Sequence, residues 1–190
     1  HFIFGLRTGL RVSDFLKLDE KHIDKKYITI TTQKTKQKVV IPIHQQVRYI
    51  IDNNNGELPT PLSDQKFNEY VKEVCEAVGI TQMVEGAKST KIVLKEKTET
   101  TPEEAIYRKE TSLFRKCELV TSHTCRRSFA TNLYGKLPNK VIMAITGHTT
   151  ETQFLNYIKT TNEEFAEILG DFWNKEANNT PTENNNLRVI

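Results

Sequence analysis

Arg11, Lys34, His123, Arg126, His148 and Tyr157 are of residue types that could do chemistry on a phosphate ester. A phosphodiester is already negative, and substitution at its phosphorus gathers more charge on the nonbridging oxygens. Cationic donors aimed at those oxygens lower the barrier. Arg11 and Arg126 suit that task, because a guanidinium is planar, permanently charged and able to fork onto two oxygens. Tyr157 could attack phosphorus once it loses a proton that its ordinary pKa of about 10 retains. Lys34 could return a proton to a leaving oxygen as a general acid. The six lie far apart in the chain, so only a fold can gather them.

Taken singly, each residue also has an ordinary structural explanation. Arg11 follows the Thr8-Gly9 turn at a helix start, and Asp14 stands three residues on, near enough on a helix to contact it; a surface ion pair explains both. Lys34 sits in the turn Gln33-Lys34-Thr35-Lys36, where a solvated lysine is normal. His123 and Arg126 form His-x-x-Arg on one face at a helix start, a place that welcomes an anion or holds a surface pair. Gly147 is an ordinary helix stop beside His148. Tyr157, in Phe-Leu-Asn-Tyr-Ile, fits a core position as well as a catalytic one. Ser128, Thr131 and Cys125 read as packing or phosphate-contact residues.

The elements that must position these groups are largely helical. Residues 1–7 read as a helix end stopped at Thr8-Gly9, followed by a short helix with Val12, Phe15 and Leu16 on one face. Tyr27–Thr32 and Lys38–Ile41 alternate as strands around a polar turn, giving a hairpin or a short three-stranded sheet that Pro42 ends. Gln45–Asp52 is helical. Ser63 caps a helix to Val78 with Phe67, Tyr70, Val71 and Val74 as its stripe. Residues 80–120 suggest short strands near Gln82–Glu85 and Ile92–Lys95, then a polar insertion. His123–Tyr134 packs Phe129 and Leu133. Pro138 opens a helix with Val141, Ile142 and Ile145 inward. Thr150 and Gln153 form a capping box for a helix through Ile158. Phe165, Ile168, Leu169, Phe172 and Trp173 mark the last helix. An Asn-rich tail begins at Lys175 and ends in the strand-like Leu187–Ile190. The fold class expected is mainly α with a small antiparallel β-sheet, with one domain over residues 1–174 and a mobile tail over 175–190.

Composition narrows the functional classes. At 190 residues the chain can bury one substantial core. No apolar run of about 18 residues appears, so no membrane segment is expected. Cys75, Cys117 and Cys125 are odd in number and scattered, which fits reduced structural thiols rather than a zinc site. The net charge of +3 is mild, but the signs segregate. Lys21 to Arg48 holds seven basic residues against the single acid Asp24, and Arg115, Lys116, Arg126 and Arg127 form a second cluster, as expected of a face that meets phosphates. The first residue is His1 with a helical pattern already under way, so the natural N-terminus is expected to lie upstream.

In order and local spacing, the six residues resemble the signature of the tyrosine recombinase, or phage integrase, family. The matching features are an Arg in a Thr-Gly-x-Arg turn, a hairpin Lys, a His-x-x-Arg helix, a Gly-His pair, and a Tyr nine residues past that His. The stretch T-S-H-T-C-R-R-S-F-A-T-N and the later I-T-G-H…Y carry the resemblance, which runs from Phe2 to Trp173. Its look is nearest to integrases of mobile elements in Bacteroides-type bacteria. Asp14 stands where the family often has Glu, keeping a supporting carboxylate. The resemblance implies metal-independent cutting and rejoining of double-stranded DNA through a 3′-phosphotyrosine, without cofactor or metal. It implies that His123 assists Tyr157 and that His148 bonds the phosphate. It also implies a homo-tetramer on DNA, a monomer for the isolated fragment, DNA-bending helper proteins, a C-terminal segment that is either exchanged between protomers or packed in cis, and action in the bacterial cytoplasm. Two alternatives share these features: a type IB topoisomerase-like relaxing enzyme and a catalytically silent DNA-binding relative.

Overall fold

In a computed structural model, residues 1–95 and 104–179 are described. The chain opens with helices α1 (Phe2–Thr8) and α2 (Val12–Phe15). Strands β1 (Tyr27–Thr31) and β2 (Lys38–Pro42) follow, then α3 (Gln45–Asn53) and α4 (Asp64–Ala77). A second strand pair, β3 (Met83–Lys95) and β4 (Glu104–Arg115), leads into α5 (Lys116–Leu119), α6 (Ser122–Leu133), α7 (Asn139–Thr146), α8 (Glu151–Leu155) and α9 (Asn162–Asn179). The fold is the expected mainly helical one, with two antiparallel hairpins as its only sheets among the described residues. Among those residues, no helix is long and apolar enough to cross a membrane.

The main core joins α1, α2, the β1–β2 hairpin, α3 and α4 through Phe4, Leu10, Phe15, Ile28, Ile41, Val47 and Phe67. A smaller cluster, Phe129, Ala130, Ile142 and Phe154, holds α6, α7 and α8 together. Period-2 burial in β1 hides Ile28 and Ile30 against the core, while β2 hides Val39 and Ile41. On α4 the buried stripe is Phe67, Val71 and Cys75, spaced four apart. Tyr70 and Val74, expected to join it, sit on its half-exposed flank. Likewise α7 buries Ile142 and Thr146, and Val141 faces outward because only one side of that short helix is covered. The three cysteines are buried and unpaired, and burial pushes the Cys125 thiol up to about 12.

The largest departure from the sequence reading lies between residues 83 and 115. In place of two short strands and an insertion there is one long hairpin, paired from Met83↔Arg115 to Lys95↔Glu104. Only its base is covered. Gly86 meets Leu119, and Lys88 reaches Glu118 at 2.8 Å while lying 4.3 Å from the centre of the Phe114 ring. Beyond the base, at residues 89, 90, 92 and 106–113, both faces meet solvent, so the alternating pattern that marks a half-buried strand is weak. At the C-terminus, α9 runs to Asn179, into the segment read as a tail; Leu187–Ile190 lies outside the described residues.

Gly9 ties the two cores together. It ends α1 in the left-handed region at φ 63°, and a Cβ there would stand 2.4 Å from Phe129 Cδ1. Gly9→Ala combines a strained backbone with overpacking against a ring, so it should destabilise the fold by at least about 2 kcal/mol. Urea denaturation checks this, and an unchanged midpoint would contradict it.

Candidate active site

Arg11, His123, Arg126, His148 and Tyr157 converge where α2, α6, α7 and α8 meet. Arg126 leaves the first half of α6 and is 3% exposed. Its Nη1 donates to the Gly9 carbonyl at 2.6 Å, so the turn that precedes Arg11 is bonded directly to the helix that bears Arg126. Its Nη2 is buried without a protein partner. Arg11 stands at the N-cap position of α2 without a side-chain cap bond, half-buried. The left-handed Gly147 lets the end of α7 come close beside it: a Cβ there would lie 3.9 Å from Arg11 Nη1 and 3.5 Å from Gln37 Oε1.

Tyr157 was expected on a helix running through Ile158. Instead α8 ends at Leu155, and Tyr157 sits in the tight turn beyond it, its N–H donating to the Phe154 carbonyl at 2.8 Å. The Lys159 N–H donates to the Thr131 hydroxyl of α6 at 3.3 Å, which pins the segment just past the tyrosine. Tyr157 Oη lies 2.6 Å from His123 Nε2. Its ring packs edge-on to His123 and His148, with centroids 4.9 and 4.8 Å away, and the Arg127 guanidinium lies 5.9 Å from its centre.

The electrostatics are those of a cationic pocket short of anions. Burial, then Arg127, Arg126 and Arg11, holds His123 below the usual imidazole range. Burial, then Arg126, Arg11 and His123, pushes His148 down to about 4. Arg126 itself falls to about 10 through burial and the neighbouring Arg11. Burial raises Tyr157 above an ordinary phenol, although Arg126, Arg127 and Arg11 oppose the rise. Both histidines are therefore neutral at pH 7, Tyr157 keeps its proton and faces the Arg126 guanidinium, and Arg126 Nη2 is buried without a hydrogen bond of good geometry.

Lys34 and Asp14 sit differently from the other five. Lys34 is exposed at the tip of the β1–β2 hairpin and bonds to none of them. Asp14 was expected to contact Arg11. Its carboxylate, fully buried, instead accepts from the Gln33 backbone N–H through Oδ1 at 2.8 Å, and its Oδ2 has no hydrogen-bond partner. Because α2 is only one turn long, Asp14 points across to the hairpin rather than back along its own helix. Gln33 Nε2 adds a bond to the Ser13 carbonyl at 2.9 Å. These two bonds anchor the residue that precedes Lys34. The second basic cluster is not a single surface, since Arg115 pairs with Glu76 while Arg126 lies inside the site. Sequence reasoning missed Thr146, buried behind His148, and gave Arg127 no place beside Tyr157. Nothing in the spacing singles out Thr146. Among the described residues there is no group of three His, Cys, Asp or Glu side chains placed to hold a metal ion.

The fold is that of tyrosine recombinase catalytic domains. The phage integrase family model matches residues 2–164, so the chain belongs to the phage integrase family. The crystal structure of XerA recombinase is similar to it at 13% identity and a TM-score of 0.58, covering 88% of this chain and 55% of XerA. Lambda integrase (residues 75–356), solved as a dimer bound to a COC′ core site, gives 18% identity and a TM-score of 0.57, covering 85% of this chain and 51% of that one. XerH, in a post-cleavage complex with a palindromic difH substrate, gives 16% identity and a TM-score of 0.54, covering 91% of this chain and 44% of XerH. The chain thus spans about half the length of these recombinases. No curated protein matches it.

Proposed function

We propose that this chain is the catalytic domain of a site-specific DNA recombinase that cuts and rejoins double-stranded DNA through Tyr157. The observation that carries this reading is the phenol of Tyr157 bonded to a neutral His123 beside two arginines, one of which has a buried N–H without a protein partner. In the first step Tyr157 Oη attacks phosphorus and passes its proton to His123. The bond from phosphorus to the 5′-oxygen breaks, and Lys34 protonates the leaving oxygen. Arg11 and Arg126 hold the nonbridging oxygens, and His148 bonds one of them. The exchange is reversible because the phosphoester bond is transferred rather than hydrolysed. Covalent capture of the protein on a nicked duplex tests this reading.

Lys34 must be brought to the leaving oxygen by its hairpin, and Asp14 holds that hairpin. Asp14→Ala would leave the Gln33 N–H without its carboxylate, a loss of about 1–3 kcal/mol, and should slow cleavage by loosening Lys34. The double variant with Lys34→Ala should cleave no slower than Lys34→Ala alone, since both act through one group. Multiplying defects in single-turnover cleavage would disconnect Asp14 from Lys34.

The wider setting follows the family resemblance. The chain acts in the cytoplasm as an integrase of a Bacteroides-type mobile element. It works as a homo-tetramer on two duplexes with DNA-bending helpers, is monomeric without DNA, and passes its segment beyond residue 175 to a neighbour. Equal synapsis after deletion of residues 175–190 would remove the last of these.

A further inference from the structure

The hydroxyl of Thr146, at the last position of α7, is fully buried behind the site. It donates to the Ile142 carbonyl at 2.8 Å, and its oxygen lies 2.8 Å from His148 Nδ1. A hydroxyl has one hydrogen, and a carbonyl can only accept. With that hydrogen committed to Ile142, the Thr146 oxygen offers His148 only lone pairs. With the hydroxyl so assigned, Nδ1 carries the ring proton and Nε2 of the neutral ring is a bare acceptor. The charged and titratable groups that face this ring are Arg126, Arg11 and His123, and together with burial they keep it neutral. Its other neighbours, the Tyr157 and Phe154 rings, add no charge at neutral pH. From the hairpin turn, Thr35 and Gln37 approach at Gly147 and are uncharged. A nonbridging phosphate oxygen also only accepts, so neutral His148 in this tautomer has nothing to donate to it.

We propose that Thr146 is a positioning residue that holds His148 in the Nδ1–H tautomer, so that His148 engages the scissile phosphate by taking up one proton at Nε2. The proposal rests on the recombinase reading in taking a DNA phosphate as the anion. The proton comes from solvent. The ring becomes an imidazolium that donates from Nδ1 to Thr146 and from Nε2 to the phosphate, and no bond to carbon or phosphorus changes. The arriving phosphate offsets Arg11 and Arg126, the two cations that oppose this charge. Because the bound state holds one more proton than the free state, phosphate affinity weakens by about tenfold per pH unit between the free-state His148 pKa and its higher bound-state value.

Nitrogen-15 NMR of histidine-labelled full chain reads this directly, with inorganic phosphate as the probe. Without phosphate, wild type should show His148 Nδ1 protonated and Nε2 bare. Thr146→Val keeps the side-chain shape but offers no lone pair, and should release the ring to the Nε2–H form; Thr146→Ser should restore the wild-type pattern. In phosphate buffer, against chloride of equal ionic strength, the His148 pKa of wild type and Thr146→Ser should rise by about one unit or more, a tenfold shift in proton affinity. In Thr146→Val the rise should be smaller, because a neutral Nε2–H already donates to the anion and less of the binding is tied to proton uptake. A bare Nδ1 in wild type, or an equal response to phosphate in all three proteins, would overturn the proposal. The tautomer measurement needs no DNA, so its failure removes the role of Thr146 alone. Absence of a Tyr157–DNA adduct removes the recombinase reading and leaves the tautomer result in place.

Discussion

Tyr157→Phe will form no covalent complex with DNA on a suicide duplex nicked near its target site, whereas the wild-type protein will give a shifted band on a denaturing gel in EDTA. The change removes one oxygen, the one 2.6 Å from His123 Nε2. It leaves the ring between His123 and His148, and it leaves both arginines. The stability cost is that of one partly exposed hydrogen bond, about 1 kcal/mol, so the variant stays folded and binds the same duplex. Among the described residues, no other tyrosine hydroxyl bonds to His123 or His148. An adduct at wild-type level would mean that another nucleophile operates. Binding without an adduct in the wild type, on a verified site, would mean that the chain is a silent DNA-binding relative.

Arg126→Met should separate catalysis from stability. Removing one preorganised donor from a developing oxyanion slows such reactions by roughly 10²–10³-fold, and single-turnover cleavage should fall by that factor. Stability should move little, or rise. The guanidinium is 3% exposed, stands beside Arg11, and has one bond to a carbonyl and one terminal nitrogen without a partner. Its fall to about 10 records a charge that the fold disfavours, by on the order of 3 kcal/mol. Against that stands the loss of the Gly9 bond, about 1 kcal/mol. A methionine of similar length fills the space without the charge, and replacing buried ions by apolar groups of like volume is often neutral or stabilising. The sign with pH follows: the unfolded state binds the Arg126 proton more tightly, so this penalty is full below pH 10 and fades only above it. Calorimetry of the two proteins at pH 7 decides the matter. A clearly lower Tm for Arg126→Met would show that the bond to Gly9 outweighs the buried charge.

Local punctuation made much of this architecture readable. Gly9 and Gly147 stop their helices in the left-handed conformation that their positions suggested, and Ser63 caps α4 by accepting from the Lys66 N–H. Alternation of buried and exposed residues marked β1 and β2. The site residues were legible as types in an order, but their contacts were not. Whether Asp14 turns to Arg11 or to Gln33 depends on how a one-turn helix meets a hairpin, which spacing along one helix cannot tell. Thr146 was invisible for a related reason: a buried threonine at a helix end looks like packing until its oxygen is found beside a histidine. The β3–β4 hairpin escaped because solvent covers both faces over most of its length, so hydrophobic periodicity carries no signal there.

The bond from Arg126 to the Gly9 carbonyl spans 117 residues of sequence, and this bears on how the protein is made. During synthesis Arg11 and Lys34 emerge before His123, Arg126, His148 and Tyr157. Closing so long a loop is entropically unfavourable and is repaid only by the whole set of contacts between the first helix and the sixth. A chain that stops short of the sixth helix therefore lacks the clasp that joins Arg126 to the turn before Arg11, and its early arginine stays unaligned until that helix docks.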